Sequence, residues 1–217
     1  MTLKNIDQLF QASLAQSDLS EKQKAVLQAS LTLFAEKGFE RTTTRDIATL
    51  AQVSEGTVYK QFKTKQQILD AILQPFITQV FPQAANEFIA ELTARPVTSL
   101  HAFIQFIVYD RINFGLTNQK QLKVLVQQLL DNGRLLAELG QVFDKVLQGP
   151  IKSTLNQLQR QGELVNWSHA RIFRHIISTV LGYVLPIIIL PIADPDVEKI
   201  TAEATEFLYA GLHQKKA

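Results

Sequence analysis

The apolar positions between residues 21 and 65 repeat at helical spacing in three successive segments. Four apolar residues of the first segment, residues 21–37, share one face of a helix: Val26, Ala29, Leu33 and Phe34. Gly38 follows directly, and glycine tolerates the left-handed backbone with which many helices end. The pattern therefore predicts an amphipathic first helix that stops at Gly38.

Two shorter helices are predicted next, each with its own start signal. Thr43 caps the second, residues 43–52, and Asp46 stands three positions later in a capping-box-like arrangement. Ser54 caps the third, which spans residues 55–62. Only a short connector separates these two helices. A compact trio of this kind is the arrangement that places one helix in the major groove of DNA.

The third predicted helix has an inner and an outer face. Val58 and Phe62 are four positions apart and point inward. Polar side chains remain on the outer face: Thr57, Lys60 and Gln61, with Tyr59 beside them. The alternative, a three-helix packing unit without a nucleic-acid contact, leaves this polar face unexplained.

Helical periodicity continues to the end of the chain. Thr64, with Gln67 completing a capping box, is predicted to start a fourth helix whose hydrogen bonding Pro75 interrupts. The apolar phase is nearly unbroken across Gly149–Pro150, which predicts one kinked helix there. Further start signals are Thr98 or Ser99, Asn118 (for a helix through Leu130), Ser168 and Asp194–Pro195. The predicted fold class is all-α, with about nine or ten helices.

One apolar stretch is long enough to be tested as a membrane span. Residues 176–193 run for 18 positions without a charge, near the lower limit for crossing a bilayer. Pro186 and Pro191 would break a helix there twice. We therefore expect a buried helix followed by an apolar loop, and no membrane partner.

Composition adds a modest electrostatic signal. A net charge of +2 over 217 residues is too small to mark a nucleic-acid binder, but residues 21–65 hold eight basic and five acidic side chains. An apolar fraction of 46% supports a sizeable core. The chain has no cysteine, which excludes disulfides and thiolate metal sites and suits a reducing cytoplasm. We therefore predict a cytoplasmic protein whose helical trio carries a positive field.

The run from residue 33 to residue 65 resembles the N-terminal domain of tetracycline-repressor (TetR) type regulators. The matching segments are LFAEKGF at 33–39, TTTRDIA at 42–48, VSEGTVYKQF at 53–62, and the TK of Thr64 and Lys65. This resemblance implies a homodimer in which each subunit offers a helix-turn-helix to double-stranded DNA at a pseudo-palindromic operator. It also implies a helical C-terminal domain that binds a small effector and dimerises.

The resemblance further implies which residues contact DNA. By position, the phosphate contacts are Thr43, Thr44, Tyr59, Gln61 and Lys65. The base contacts are Gly56, Thr57 and Lys60, and the expected DNA-binding set also includes Arg45 and Ser54. Threonine hydroxyls bind phosphate oxygens without reading sequence, whereas Lys60 can donate to guanine and the methyl group of Thr57 can contact a thymine methyl group.

Two residues depart from the pattern of these regulators. Glu55 stands where a basic or small residue is common, and it either accepts from a cytosine amino group or serves as a helix-start residue that repels phosphate. Gln52 stands where glycine is frequent in the turn. If that position requires a positive φ, Gln52 costs about 1 kcal/mol.

We expect three regions along the chain. Residues 1–20 are an N-terminal arm or a short extra helix, residues 21–66 are the helix-turn-helix domain, and residues 67–217 bind the effector and dimerise. One interpretation places an effector pocket among polar and aromatic residues of this last region: His101, Phe103, Phe106, Tyr109, Asp110, Asn113 and His175. The alternative is that its polar side chains reach solvent or pair with neighbouring helices.

The two apolar helices at the C-terminus match what the resemblance implies for dimerisation. An intersubunit four-helix bundle would use one apolar stripe from each helix. The expected interface residues are Ile172, Ile176, Val180, Val184, Ile200, Ala204, Phe207 and Leu208. The alternative is that these helices only complete the core of their own subunit.

No catalytic or metal-binding pattern is present. The four histidines lack paired metal-ligand spacing, and the chain has no glycine-rich phosphate loop or nucleophile elbow. We therefore predict neither an enzyme nor a cofactor, but a transcriptional repressor released by a small apolar or aromatic effector. The alternative is a nucleoid or cell-division factor of the same fold that protein partners control.

Overall fold

The structure, a computed structural model, describes residues 5–129, 133–190 and 195–214. Helices dominate these residues, and their only β-type contact is an isolated antiparallel bridge between Leu164 and His213. The predicted all-α class is therefore confirmed.

The helices divide between two compact units. The first helices are α1 (Ile6–Ala15), α2 (Glu21–Lys37), α3 (Thr44–Leu50), α4 (Glu55–Gln61), α5 (Lys65–Pro75), a π-helical turn (Phe76–Val80) and α6 (Phe81–Thr93). The later ones are α7 (Leu100–Thr117), α8 (Gln119–Leu129), α9 (Gly133–Gln148), α10 (Pro150–Arg160), α11 (His169–Ile189) and α12 (Val197–Leu212). Among the described residues, the N-terminal unit lies within 5–84 and 118–139 and the C-terminal unit within 85–117 and 140–214, so α6 and α9 each contribute to both units.

Local capping explains where the helices of the predicted trio begin. At α3 the backbone N–H of Asp46 donates to Thr43 Oγ1 over 3.1 Å, and the backbone N–H of Thr43 donates to Asp46 Oδ2 over 3.0 Å, which confirms the predicted capping box. At α4 the N–H of Thr57 donates to Ser54 Oγ over 3.1 Å, as predicted. At α2 a capping box formed by Ser20 and Gln23 fixes the start.

Within the N-terminal unit, α1 is held by a ring contact on its apolar face and by a hydrogen bond at its start. The ring of Phe10 lies 5.1 Å from the ring of Phe76 in the π-helical turn. The side-chain oxygen of Asn118, a fully buried residue, accepts from the backbone N–H of Ile6 over 2.6 Å. Asn118 immediately precedes α8, so this one side chain joins the starts of two helices that are far apart in sequence.

Pro75 changes the helix type rather than breaking the helix. It is the last residue of α5, and the π-helical turn follows without an intervening loop. The N–H of Phe81 donates to the carbonyl oxygen of Phe76, five residues earlier. Pro75 and Pro82 on either side have no N–H to donate, and a wider turn accommodates this loss.

The C-terminal unit is built around α7. This helix buries Leu100, Ile104, Val108 and Ile112 and packs against α11 and α12. The approach to α11 is close, because a Cβ placed on Gly115 would lie 2.6 Å from Cγ1 of Val184. Glycine at position 115 is therefore required by packing.

Four sequence-based boundary predictions need correction. Gln67 does not complete a box with Thr64, because its side-chain oxygen accepts from the N–H of Lys63 over 2.9 Å. The predicted kinked helix is two helices, since α9 ends at Gln148 and α10 begins at Pro150. Pro186 does not end α11, which continues to Ile189, while Asp194 and part of the expected loop lie outside the described residues. The cap of α12 is Asp196, whose side chain accepts from the N–H of Lys199 over 2.9 Å.

Candidate nucleic-acid interface

The turn between α3 and α4 contains one strained residue. Gln52 has a φ of 55°, and it is the only non-glycine residue with a positive φ in the described part of the chain. The N–H of Val53 donates to the carbonyl oxygen of Ala48 over 3.0 Å and closes the turn. The left-handed backbone expected at this position is therefore present, at a cost of about 1 kcal/mol for a residue with a side chain.

The helix α4 separates its two faces as the apolar pattern predicted. Val58 is fully buried, and Phe62 directly after the helix is buried as well. The opposite side exposes Ser54, Gly56, Tyr59 and Lys60, with Thr57 and Gln61 half-buried. A Cβ on Gly56 would meet only Ser54 Oγ, at 3.9 Å, so the fold does not require glycine there.

The start of α3 lies beside this outer face. The hydroxyl of Thr44 donates to Glu55 Oε1 over 2.6 Å, and it lies 3.1 Å from the hydroxyl of Tyr59. Arg45 is exposed on the same helix. The structure thus brings two predicted phosphate contacts, Thr44 and Tyr59, next to the carboxylate of Glu55. Neither role that the sequence suggested for Glu55 included this contact.

The ammonium group of Lys65 is bound by the backbone of its own chain. Nζ donates to three backbone carbonyl oxygens, those of Phe39 at 2.7 Å, Glu40 at 3.2 Å and Thr42 at 3.1 Å. It also lies 4.3 Å from the centroid of the Phe39 ring. An ammonium group has three N–H donors, and these contacts occupy all of them. Lys65 therefore holds the loop before α3 in place.

Charge is concentrated at the start of α3. The carboxylate of Asp46 accepts from the backbone N–H of Thr43, from the ammonium group of Lys37 over 3.1 Å, and from the hydroxyl of Thr43 over 2.9 Å. These hydrogen bonds, with that of the Thr43 backbone the largest, lower the pKa of Asp46 from 3.8 to about 2. Asp46 is thus committed to capping as a stable anion.

The predicted effector residues divide among different surroundings in the C-terminal unit. Phe103, Phe106, Asp110 and Asn113 follow one another at spacings of three and four and share a face of α7. Phe106 lies parallel to Phe88 at 6.1 Å, and Asp110 pairs with Arg111. Tyr109 is partly exposed.

Of the two predicted pocket histidines, His101 contacts another helix and His175 contacts the loop before its own helix. Nε2 of His101 lies 3.1 Å from the carboxylate of Glu206 on α12, and its ring packs edge-on against Tyr209. The ring of His175 on α11 lies 5.6 Å from that of Trp167. In the described part of the chain, no cluster of three or more histidine, aspartate and glutamate side chains could hold a metal ion.

The predicted interface stripe lies mostly inside the subunit. Six of its residues are buried by their own chain: Ile172, Ile176, Val180, Val184, Ala204 and Leu208. Ile200 is half-buried, and Phe207 is 71% exposed. Most of the periodic stripe is therefore covered by its own chain, and the neighbouring face of these helices is left open.

Helix α11 is long and apolar enough to cross a membrane by length and composition, and 33% of its most apolar window is buried. Leu181 and Ile189 are among its exposed apolar residues. A helix of this composition in a globular protein is normally covered. Much of the apolar surface of α11 is therefore exposed in the single chain.

Residues 26–72 match the tetR family of bacterial regulatory proteins. The chain is 28% identical over 145 residues to the HTH-type transcriptional repressor KstR2 of Mycolicibacterium smegmatis, an alignment that covers 67% of this chain and 62% of that protein. It is 22% identical over 197 residues to the fatty acid metabolism regulator protein of Bacillus subtilis, covering 89% of this chain and 97% of that protein.

The fold is also shared with solved structures. A transcriptional regulator from Saccharomonospora viridis, solved in complex with choline, superimposes with a TM-score of 0.67 and 18% identity over 91% of this chain and all of that one. The matched segment contains α3, the strained turn and α4, whose exposed polar face is described above. Residues 26–72 therefore resemble the DNA-binding segment of tetR-family regulators, and the described chain shares its fold with a solved transcriptional regulator.

Proposed function

We propose that this regulator is a cytoplasmic repressor that binds a pseudo-palindromic operator as a homodimer and is released by a small apolar or aromatic effector. The observation that carries the DNA-binding part is the outer face of α4. Its polar side chains are exposed while Val58 and Phe62 complete the core, so the face is free for a ligand. A helix of this kind reads base edges in the major groove.

The proposed contacts divide into two groups. The hydroxyls of Thr43, Thr44 and Tyr59, with Gln61, Arg45 and Ser54, bind phosphates and fix the register of the helix. Gly56, Thr57 and Lys60 face the bases. Because the fold leaves room for a side chain at Gly56, its glycine is best explained by close approach of the DNA. Lys65 acts indirectly, by holding the loop that presents Thr43 and Thr44.

The experiment that tests this assignment is selection of binding sites from a random DNA library, followed by titration of the selected duplex. Lys60→Ala is expected to weaken binding about tenfold and to relax preference at one or two positions per half-site. Lys199→Ala, which removes an exposed lysine on α12, is the matched control and keeps both affinity and preference. Equal losses on selected and random duplexes for Lys60→Ala would remove Lys60 from the base contacts.

The proposed dimer uses the open face of α11 and α12. Leu181 is 42% exposed and Phe207 is 71% exposed, and small residues such as Gly182 and Ala210 lie on the same exposed surfaces. Arg174 on α11 and Glu203 on α12 are exposed with opposite charges. A two-fold contact pairs the same patch on both subunits. A patch that carries both charges can therefore form ion pairs and apolar contacts with its own copy.

An effector is proposed to act through the C-terminal unit by population shift. One relative is named as a fatty acid metabolism regulator, and one structural neighbour was solved in complex with choline, which supports an organic small molecule as the ligand class. The face of α7 that carries Phe103, Phe106, Asp110 and Asn113 combines aromatic and polar groups and is the proposed lining. The effector must bind the state that cannot hold DNA more tightly than the other state.

The effector proposal is tested with a long-chain fatty acid, a steroid ketone and choline as probes. A true effector raises the melting temperature of the protein and lowers its affinity for the selected duplex, because ligand binding stabilises one state. Phe106→Ala is expected to abolish both effects together. If no apolar compound changes duplex affinity, the alternative of control by protein partners replaces the sensor.

A further inference from the structure

The carboxylate of Glu55 receives a chain of hydrogen bonds from two hydroxyl groups. Thr44 donates its hydroxyl proton to Glu55 Oε1 over 2.6 Å. A threonine hydroxyl has only one proton, so the contact of 3.1 Å between Thr44 and Tyr59 must be donated by the tyrosine. The direction of the chain is therefore fixed: Tyr59 donates to Thr44, and Thr44 donates to Glu55.

Thr44 and Tyr59 are the hydroxyls proposed above to bind DNA phosphate. A hydroxyl binds phosphate by donating its proton to a phosphate oxygen. In the protein without DNA, Thr44 gives that proton to the Glu55 carboxylate, which carries the same sign of charge as phosphate. Phosphate and Glu55 therefore compete for the same donor.

We propose that Glu55 is a specificity-determining residue that occupies the phosphate-binding hydroxyls in the free protein and so lowers the affinity for random DNA. This inference rests on the proposed function, because it requires Thr44 and Tyr59 to face phosphate. The carboxylate must turn away before DNA binds. On random DNA nothing offsets that cost. At a selected site the displaced carboxylate can accept from a cytosine amino group, so part of the cost is recovered there.

A simple role in starting α4 does not account for this geometry. The orphan N–H of Thr57 in the first turn is already bound by Ser54 Oγ over 3.1 Å. Glu55 instead contacts Thr44, eleven positions earlier and on the preceding helix. The residue is exposed, so its position is not imposed by burial. The contact joins the two helices of the motif at the surface proposed to meet DNA.

The test measures binding of the full-length protein to a labelled random-sequence duplex of 30 base pairs by fluorescence anisotropy at several salt concentrations. Glu55→Gln and Glu55→Ala are expected to bind this duplex about five- to twentyfold more tightly than the parent protein, and to bind the selected duplex with a smaller gain. Glu40→Gln removes a carboxylate from an exposed position of the same unit and serves as the charge control, with a change of about twofold or less.

Glu55→Asp separates competition for the hydroxyl from simple repulsion. It keeps the charge but is one methylene shorter, so it loses the contact with Thr44. Its affinity for random DNA is expected to rise by about twofold or more.

The proposal is overturned if Glu55→Gln binds random DNA no more tightly than Glu40→Gln, or if Glu55→Asp equals the parent protein. If Glu55→Gln bound random DNA more weakly than the parent protein, Glu55 would be a direct DNA contact, and the proposal would also be overturned. A parent protein that binds neither random nor selected duplexes at low salt would contradict the proposed function itself. Circular dichroism of each variant shows that the fold is retained.

Discussion

The ammonium nitrogen of Lys65 lies 2.7 Å from the carbonyl oxygen of Phe39 and 4.3 Å from the centroid of the Phe39 ring. With the carbonyls of Glu40 and Thr42, it binds three acceptors in one loop. This loop leads directly into Thr43, the cap of α3. A lysine expected to bind phosphate is therefore bound to the backbone that positions two other proposed phosphate contacts, Thr43 and Thr44.

Lys65→Met removes all three donors while keeping much of the side-chain length. We expect the free energy of unfolding to fall by about 2 kcal/mol, because hydrogen bonds to a charged group are lost at partly buried carbonyls. Chemical denaturation measures this change. Lys63→Met, an exposed lysine two positions earlier, is the matched control and should change stability by about 0.5 kcal/mol or less.

The same variant separates positioning from phosphate contact. Lys65→Met should weaken duplex binding without changing the slope of log affinity against log salt, because no counterion is released by Lys65. A slope that becomes shallower by about one would place the ammonium group on a phosphate in the complex.

Gln52→Gly should stabilise the protein. The residue has a φ of 55°, where a side chain costs about 1 kcal/mol and glycine does not pay that cost. After the larger chain entropy of glycine is subtracted, a net gain of about 0.5 kcal/mol is expected in denaturant unfolding. Gln28→Gly, in the exposed middle of α2, is the control and should lower the free energy of unfolding by about 1 kcal/mol. If both substitutions lowered it, the turn would not require a left-handed backbone at position 52.

The sequence predicted features whose cause is local. The Thr43–Asp46 box and the Ser54 and Ser168 caps depend on residues three positions apart, so the spacing alone identifies them. The inward direction of Val58 follows from helical periodicity in the same way.

Contacts between distant residues left no comparable signal. Lys65 binds carbonyls more than twenty positions earlier, and nothing in the types of Phe39 or Thr42 marks their backbone oxygens as acceptors. Periodicity also showed that Ile172 and Val180 share a stripe of α11, but it could not say that the chain's own core covers that stripe. Tertiary packing decides what covers an apolar face. The sequence therefore could not separate the exposed residue Phe207 from the buried residues that were predicted for the same interface.

Asp46→Asn should lower the stability of the protein by an amount that depends on pH, because it removes the carboxylate at the start of α3. The folded-state pKa is lowered to about 2 from 3.8, so the stabilisation by the carboxylate is complete above about pH 4 and is lost as the pH falls through about 2. The variant should therefore be less stable than the parent protein at neutral pH, and the difference should disappear near pH 2. NMR titration of the Asp46 carboxyl group measures the pKa directly. A midpoint near 4 would show that the capping box does not hold the anion.

Gly115→Ala should destabilise the C-terminal unit because the added Cβ would lie 2.6 Å from Val184 Cγ1. A loss of about 1–3 kcal/mol is expected from such overpacking. Val184→Ala removes the clashing methyl groups, so the two substitutions together should cost less than their sum. Gly140→Ala on α9, where nothing lies within 4 Å, is the control and should be neutral or stabilising. Additive losses at Gly115 and Val184 would contradict the close crossing.

Phe207→Glu should dissociate the proposed homodimer. An aromatic side chain that is 71% exposed in one subunit is a natural anchor in a two-fold interface, and its replacement by a charge places two carboxylates at the contact. Light scattering after size exclusion should change from twice the 24.4 kDa subunit mass to the subunit mass at micromolar concentration, with helical content unchanged. Leu136→Glu, which alters another exposed apolar residue on α9, should remain dimeric.

Because a monomer meets only one half-site, Phe207→Glu should also weaken binding to the selected duplex far more than binding to a single half-site. A Phe207→Glu protein that is still dimeric would place the interface elsewhere than on the open face of α11 and α12.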